Sequence, residues 1–147
     1  MPEHKETRNL SYSAQQLFDL VADVEKYPKF LPWCTGARIL ERKKEYIVAD
    51  LIITFKPFSE KFRSKVFLKA PVKDKKGEII VEFVEGPFKH LTNQWVFIPK
   101  KEGSDLEFHI NFEFRSKILE KLIGIMFEKA IKKMGDAFVK RAEEIYG

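Results

Sequence analysis

The chain has 147 residues, of which 44% are hydrophobic and 33% charged, a balance that predicts one soluble domain with a single packed core. Its one cysteine, Cys34, excludes an internal disulfide and a cysteine-cluster metal site, so a reducing compartment such as the cytoplasm is expected. The net charge of +5 permits contact with RNA or with an anionic membrane surface, because both present clustered phosphates. No apolar run is long enough to span a membrane, and the N-terminus has neither a signal-peptide core nor a transit-peptide composition.

The fourteen phenylalanines exceed what packing alone requires in a chain of this length. This excess allows two interpretations. The rings line a cavity for an apolar ligand, or they fill a phenylalanine-rich core. From composition alone, the phenylalanine-rich core is favoured.

The N-terminal residues predict a strand followed by a short helix. A first strand is expected at residues 5–10. Ser13 and Gln16 then form a capping-box pattern ahead of "AQQLFDLVADV", in which apolar residues recur at helical spacing. This helix should end near the Tyr27-Pro28 pair, because a residue that precedes proline is pushed out of helical geometry.

The segment "VEKYPKFLPWCTGARI" is apolar but has neither helical nor strand periodicity. Between Tyr27 and Trp33 it is dominated by aromatic, proline and leucine side chains. The sequence therefore predicts irregular backbone carrying an unusually apolar surface.

The middle of the chain alternates apolar and polar residues with a period of two, and turn signals break the alternation. Strands are predicted at residues 37–42, 46–55, 58–68, 78–84, 91–98 and 106–114. In the last of these, the side chains expected to point inward are those of Leu106, Phe108, Ile110, Phe112 and Phe114. Such alternation is typical of an antiparallel sheet with one covered face.

The last thirty residues predict one long amphipathic helix, residues 117–146. The apolar face is expected to contain Leu119, Leu122, Ile123, Met126, Ala130, Met134, Ala137, Phe138, Ala142 and Ile145. A coiled-coil or partner helix is the alternative. A cover for the sheet is favoured, because no other part of the chain can supply one.

Three motifs resemble one known family. "ADVEKYPKFLPWC", "EKFRSKV" and "EGPFKHLTNQWVFIP", together with the closing helix, are similar to the coenzyme Q-binding branch of the START-like, helix-grip proteins, also called polyketide cyclases or dehydrases. The branch includes the ribosome association toxins. The resemblance implies an α+β fold in which a curved antiparallel sheet wraps around the C-terminal helix, with short helices after the first strand and an apolar tunnel inside.

The resemblance also implies positions for a binding site. The apolar segment would form a lip at the tunnel mouth, with Tyr27, Pro28, Phe30, Leu31, Pro32 and Trp33 as its residues. The cavity would be lined by Phe55, Phe62, Asn93, Trp95, Phe97, Phe108, Phe112, Met126 and Ala130. The alternative is that the lip aromatics simply plug one end of the core.

The function implied by the resemblance is non-enzymatic binding of ubiquinone or a related isoprenoid lipid, in support of respiratory electron transport. Such a protein would be cytoplasmic, with peripheral contact at the inner face of the respiratory membrane. The alternative is a ribosome-acting protein that binds the large subunit and inhibits subunit association. A cyclase-type enzyme using the cavity is the third interpretation; no catalytic cofactor, metal or DNA partner is expected.

Catalytic motifs are absent from the sequence. His4, His90 and His109 have no metal-ligand spacing. Glu60 falls on a predicted inward face, where it would act as a general base; the alternative is that it pairs with a lysine or arginine or reaches solvent. Asn93 is a candidate hydrogen-bond donor to a quinone carbonyl. Cys34 is expected to be an apolar filler rather than a redox group.

Overall fold

The computed structural model describes residues 3–147, which form a seven-stranded antiparallel sheet, two α-helices and a short 3₁₀ helix. The strands are β1 (Glu3–Leu10), β2 (Cys34–Arg42), β3 (Tyr46–Phe55), β4 (Phe58–Lys69), β5 (Gly77–Glu85), β6 (Phe88–Pro99) and β7 (Ser104–Phe114). The helices are α1 (Ala14–Ala22), the 3₁₀ helix (Val24–Lys29) and α2 (Lys117–Tyr146). This confirms the predicted helix-grip architecture.

The sheet has the order β1-β7-β6-β5-β4-β3-β2, so β1 crosses over to pair with the last strand while the other strands follow one another as hairpins. Along β7, the predicted inward residues are all buried, and their polar neighbours are more exposed. Alternation places every second side chain on the same face. Strand β7 therefore presents a continuous apolar face to the core.

Helix α1 begins at the predicted capping box, in which Ser13 accepts a hydrogen bond from the backbone of Gln16 and the Gln16 side chain accepts one from the backbone of Ser13. The helix ends at Ala22, before the predicted end, because Asp23 leaves helical geometry with φ −83° and ψ 67°. The following residues form a 3₁₀ helix that contains Pro28, where irregular backbone was predicted. The chain then enters β2 at Cys34.

Helix α2 spans the predicted residues and is capped by Ser116, whose side chain accepts hydrogen bonds from the backbone of Ile118 and Leu119. The face that it buries differs from the predicted one. Phe127 and Ile131 are buried, whereas Leu122, Met126 and Ile145 of the predicted set are exposed.

The physical reason for this difference is that apolar residues surround the first half of α2, so their spacing is compatible with more than one buried face. Packing against the sheet determines which face of α2 is buried. The ring of Phe127 lies 4.8 Å from that of Phe112, 5.3 Å from Phe88 and 5.6 Å from Phe114, measured between centroids. Within residues 3–147 no helix is both long and apolar enough to cross a membrane.

Candidate functional site

An internal cavity of about 90 Å³ lies between the concave face of the sheet and α2. Strands β2 to β7, the 3₁₀ segment and the middle of α2 all contribute to its wall. The lining residues are Val24, Tyr27, Leu31, Trp33, Cys34, Leu51, Ile53, Phe62, Ser64, Val66, Ile79, Val81, Phe88, Leu91, Asn93, Trp95, Ile110, Phe127, Ile131 and Met134. The wall is almost wholly apolar and contains no aspartate, glutamate, histidine, lysine or arginine among the described residues.

The few polar groups of the wall are held mainly by the protein itself. Asn93 donates a hydrogen bond from Nδ2 to the backbone carbonyl of His109 at 2.9 Å, and its Oδ1 accepts one from the indole of Trp95 at 3.0 Å. The Tyr27 hydroxyl donates to the carbonyl of Val21. These two bonds use one Nδ2 hydrogen and one Oδ1 lone pair of Asn93. The second Nδ2 hydrogen and the second lone pair are left for a ligand.

The two titratable groups of the wall are neutral at physiological pH. Burial raises the pKa of the Cys34 thiol to about 11, and Sγ donates a weak hydrogen bond to the carbonyl of Gly36. Burial likewise raises the pKa of the Tyr27 hydroxyl well above its usual range. The cavity thus offers hydrogen bonds but no charge.

The cavity is small for a ligand. Its volume of about 90 Å³ is less than the roughly 150 Å³ of an apolar cavity that accommodates benzene. A quinone ring with an isoprenoid tail is larger than benzene. Binding of such a molecule therefore requires side chains or α2 to move apart.

The predicted lip lies against the second half of α2. The ring centroid of Phe138 is 5.4 Å from that of Tyr27 and 5.0 Å from that of Phe30, both in edge-on contact. The guanidinium carbon of Arg141 lies 5.5 Å from the Phe30 centroid. Leu31 is buried and Pro32 is exposed, while Pro28 is half-buried and lies outside the cavity wall.

Trp33 separates the cavity from the surface. Its side chain lines the cavity on one side and, on the other, a surface groove of about 510 Å³. The groove is formed by Lys29, Phe30, Pro32, Trp33, Lys133, Asp136, Ala137, Lys140 and Glu144. The backbone carbonyl of Trp33 accepts a hydrogen bond from the Thr54 amide at 2.8 Å, which ties the lip to β3.

The structure brings only part of the predicted cavity set together. Phe62, Asn93 and Trp95 line the cavity. Phe55 borders a separate void of about 10 Å³, which it shares with Glu60. The remaining predicted residues lie outside the cavity wall, and they are Phe97, Phe108, Phe112, Met126 and Ala130.

Packing within the surrounding core explains the positions of Phe97 and Phe108. Phe97 packs against Phe18 of α1 at 5.6 Å, and Phe108 packs against Trp95 at 4.5 Å, so both belong to the surrounding core. Ala130 is buried beside the cavity-lining Ile131. The prediction that Met126 lines the cavity is wrong. That side chain is 36% exposed, and Met134 of the same helix occupies the wall instead.

The unpredicted lining residues had a signal in the sequence. Leu51 and Ile53 share the inward face of β3 with Phe55, and Ile79 and Val81 share one face of β5. Strand alternation therefore identified the face to which they belong. It gave no indication of where along each strand the packing opens into a void.

The comparisons with known proteins agree with this architecture. The sequence profile of the polyketide cyclase / dehydrase and lipid transport family matches residues 10–139. The chain belongs to this family, which confirms the resemblance inferred from the motifs.

Two curated relatives carry different functional names. The chain is 42% identical to the ribosome association toxin RatA of Rickettsia prowazekii, over 99% of both chains. It is 33% identical to the mitochondrial coenzyme Q-binding protein COQ10 homolog B of Xenopus laevis, over 99% of this chain and 59% of that one. Neither relative is named as an enzyme.

A solved structure shows how widely this fold is shared. The Zhui aromatase/cyclase from Streptomyces sp. R1128 superimposes with a TM-score of 0.83, covering 99% of this chain and 96% of that one, at 17% identity. At this identity the similarity establishes the START-like fold alone.

Proposed function

We propose that this protein is a non-enzymatic binder of ubiquinone or a related isoprenoid lipid, held between the sheet and α2. The observation that carries the proposal is the uncharged, apolar wall of the internal cavity, interrupted by the Asn93 amide. Ligand pockets of this kind bind through apolar area and use a few polar groups to orient the ligand. In this role the protein supports respiratory electron transport by carrying the quinone.

Binding is expected to proceed by expansion of the cavity. Trp33 and Met134 are the side chains we expect to move, because Trp33 separates the cavity from the surface groove and Met134 is flexible. Each square ångström of tail removed from water contributes about 25 cal/mol before ordering costs are subtracted. Long isoprenoid tails should therefore bind more tightly than short ones.

Asn93 is proposed to orient the quinone ring. Its remaining Nδ2 hydrogen is available to a quinone carbonyl after the bond to His109 is made. The bond from Trp95 holds the amide in one orientation, since the indole can only donate.

The cavity gives little support to the cyclase alternative. Acid–base catalysis requires a group that exchanges protons near neutral pH. Among the described lining residues, only Tyr27 and Cys34 are titratable, and burial raises the pKa of both. Glu60 borders the separate small void, so its carboxyl is not placed to serve a ligand in the main cavity.

A second candidate function is supported by a different observation. The similarity to a ribosome association toxin extends over essentially the full length of both chains. The corresponding proposal is that the protein binds the large ribosomal subunit through its basic surface and inhibits subunit association. Such binding would weaken steeply with salt, whereas occupancy of an apolar cavity would respond little.

The deciding experiment compares two substitutions in α2. The wild type, Met134→Trp and Met126→Trp are purified gently from the native host, extracted with organic solvent, and their lipids are quantified by mass spectrometry. Met134→Trp should fill the cavity and abolish binding. Met126→Trp, at an exposed position of the same helix, is the matched control.

Near-stoichiometric ubiquinone in the wild type and in Met126→Trp, with none in Met134→Trp, would support the lipid-binding proposal. A wild type that is free of lipid and co-sediments with large ribosomal subunits at low salt would overturn it. If Met134→Trp sediments with ribosomes as well as the wild type does, the ribosomal activity does not use the cavity.

A further inference from the structure

The first half of α2 exposes a row of large aliphatic side chains to solvent. Ile118 is 70% exposed, Leu122 43% and Ile125 68%. Their spacing of four and three residues places them on one side of the helix. We name these three residues the outer stripe.

The outer stripe lies opposite the face that α2 packs on the sheet. Ile123, Phe127 and Ile131 occupy that buried face. The outer stripe therefore plays no part in the core, although exposed aliphatic clusters of this kind commonly mark an interaction surface.

Positive charge is concentrated around the outer stripe. Residues 115–133 carry six basic and two acidic side chains, a net charge of +4, while the whole chain carries +5. These are Arg115, Lys117, Lys121, Lys129, Lys132 and Lys133 against Glu120 and Glu128. Residues 134–147 carry two basic and three acidic side chains, a net charge of −1.

We infer that the outer stripe and its surrounding lysines dock α2 flat on the surface of an anionic phospholipid bilayer. An interfacial helix inserts its aliphatic side chains among the acyl chains while lysines contact the headgroup phosphates. RNA would be matched by the lysines alone and would leave Ile118 and Ile125 in water. A bilayer accommodates both the aliphatic side chains and the lysines.

This docking orients the rest of the molecule. Lys129 and Lys133 continue along the same side of α2 at intervals of four residues from Ile125. Lys133 also lines the surface groove that ends at Trp33. The groove and the lip would therefore face the bilayer. Docking needs no ligand in the cavity, so the inference goes beyond the proposed function.

The experiment is vesicle flotation of the full chain with phosphatidylcholine vesicles, with and without phosphatidylglycerol. The test variant is Ile118→Glu/Ile125→Glu. The matched control, Val72→Glu/Val84→Glu, makes the same charge change at two exposed aliphatic residues on the sheet side, 60% and 53% exposed. Circular dichroism and thermal melts establish that both variants are folded.

The wild type and the control should float with phosphatidylglycerol vesicles at low salt. The test variant should partition at least about a hundredfold more weakly, about tenfold for each isoleucine. A Lys129→Gln/Lys133→Gln variant should lose part of the dependence on phosphatidylglycerol and on salt.

The inference is overturned if the wild type does not float, or if the test variant floats as the wild type does. It is also overturned if light scattering shows that the wild type is a dimer and the test variant a monomer. The outer stripe would then bind a second copy of the chain. Ubiquinone content is measured separately by mass spectrometry, so failure of docking and failure of lipid binding are distinguishable.

Discussion

Two aromatic regions of the molecule are built from similar residues but differ in how firmly they are packed. In the aromatic cluster, Phe88, Phe112, Phe114 and Phe127 are all at most 7% exposed, and each ring contacts the other three. In the lip, Tyr27, Phe30 and Trp33 are only half-buried, and two of them rest on a single ring, Phe138.

The difference shows that an excess of phenylalanine has two uses in one chain. The cluster joins β6, β7 and α2, so its rings hold the fold together. The lip sits between the surface groove and the cavity, where fewer contacts oppose its movement. The phenylalanine-rich core is therefore found in the cluster, and aromatic side chains that border a cavity are found in the lip.

The largest expected effect compares one phenylalanine from each region. Phe112→Ala should lower the free energy of unfolding by about 3–5 kcal/mol, because it leaves a void in a fully packed cluster. Phe30→Ala should cost about 1–2 kcal/mol, because its ring is already partly solvated. Urea unfolding of both variants measures the two losses. Equal losses would mean that the lip is a plug of the core.

The next effect concerns Cys34, whose thiol lies in the cavity wall behind the lip. Since burial raises its pKa from 9.0 to about 11, the thiolate fraction at neutral pH should be about a hundredfold lower than for an ordinary thiol. Alkylation by iodoacetamide should therefore be slow in the folded protein and fast in urea.

The raised pKa of Cys34 also makes the stability of the fold depend on pH. The folded protein holds the proton more tightly than the unfolded chain does, so this stabilisation is fully present below pH 9.0 and lost as the pH rises towards about 11. A Cys34→Ala variant should lose less stability over that interval. A folded protein that alkylates as fast as the unfolded chain would contradict the buried position of the thiol.

A smaller effect tests Trp33 as the partition between groove and cavity. Trp33→Ala should accelerate alkylation of Cys34 by about tenfold, because it removes the side chain shared by the two spaces. Phe30→Ala is the matched control, since Phe30 borders the groove but not the cavity. Equal acceleration in both variants would indicate general loosening of the lip.

The smallest effect concerns the orientation of the ligand. Asn93→Leu should weaken ubiquinone binding by about three- to tenfold, which corresponds to the loss of one hydrogen bond. Binding of a polyprenol with the same tail should change less, because it lacks the quinone carbonyls. Thr92→Leu, at the exposed neighbouring position of β6, is the control. If the ratio of the two affinities is unchanged, Asn93 has no role in recognising the quinone ring.

Local patterns in the sequence were sufficient for most of the fold. The alternation from Leu106 to Phe114 identified β7 and its buried face, because side chains of a strand point to opposite sides in turn. The extent of α2, residues 117–146, matched the prediction, since helical spacing is maintained from the Ser116 cap to the C-terminus. The motifs around Trp33 and Asn93 indicated the family.

The site depended on contacts that no local pattern contains. Helix α2 turns Phe127 and Met134 inward and leaves Met126 and the outer stripe in solvent, because the aromatic cluster packs around Phe127. The cavity is likewise the space that side chains from six strands and α2 leave unfilled, and Trp33 closes it from outside. Periodicity assigns a residue to a face, but only the packing of distant elements against that face decides whether the residue fills the core, borders a void or meets solvent.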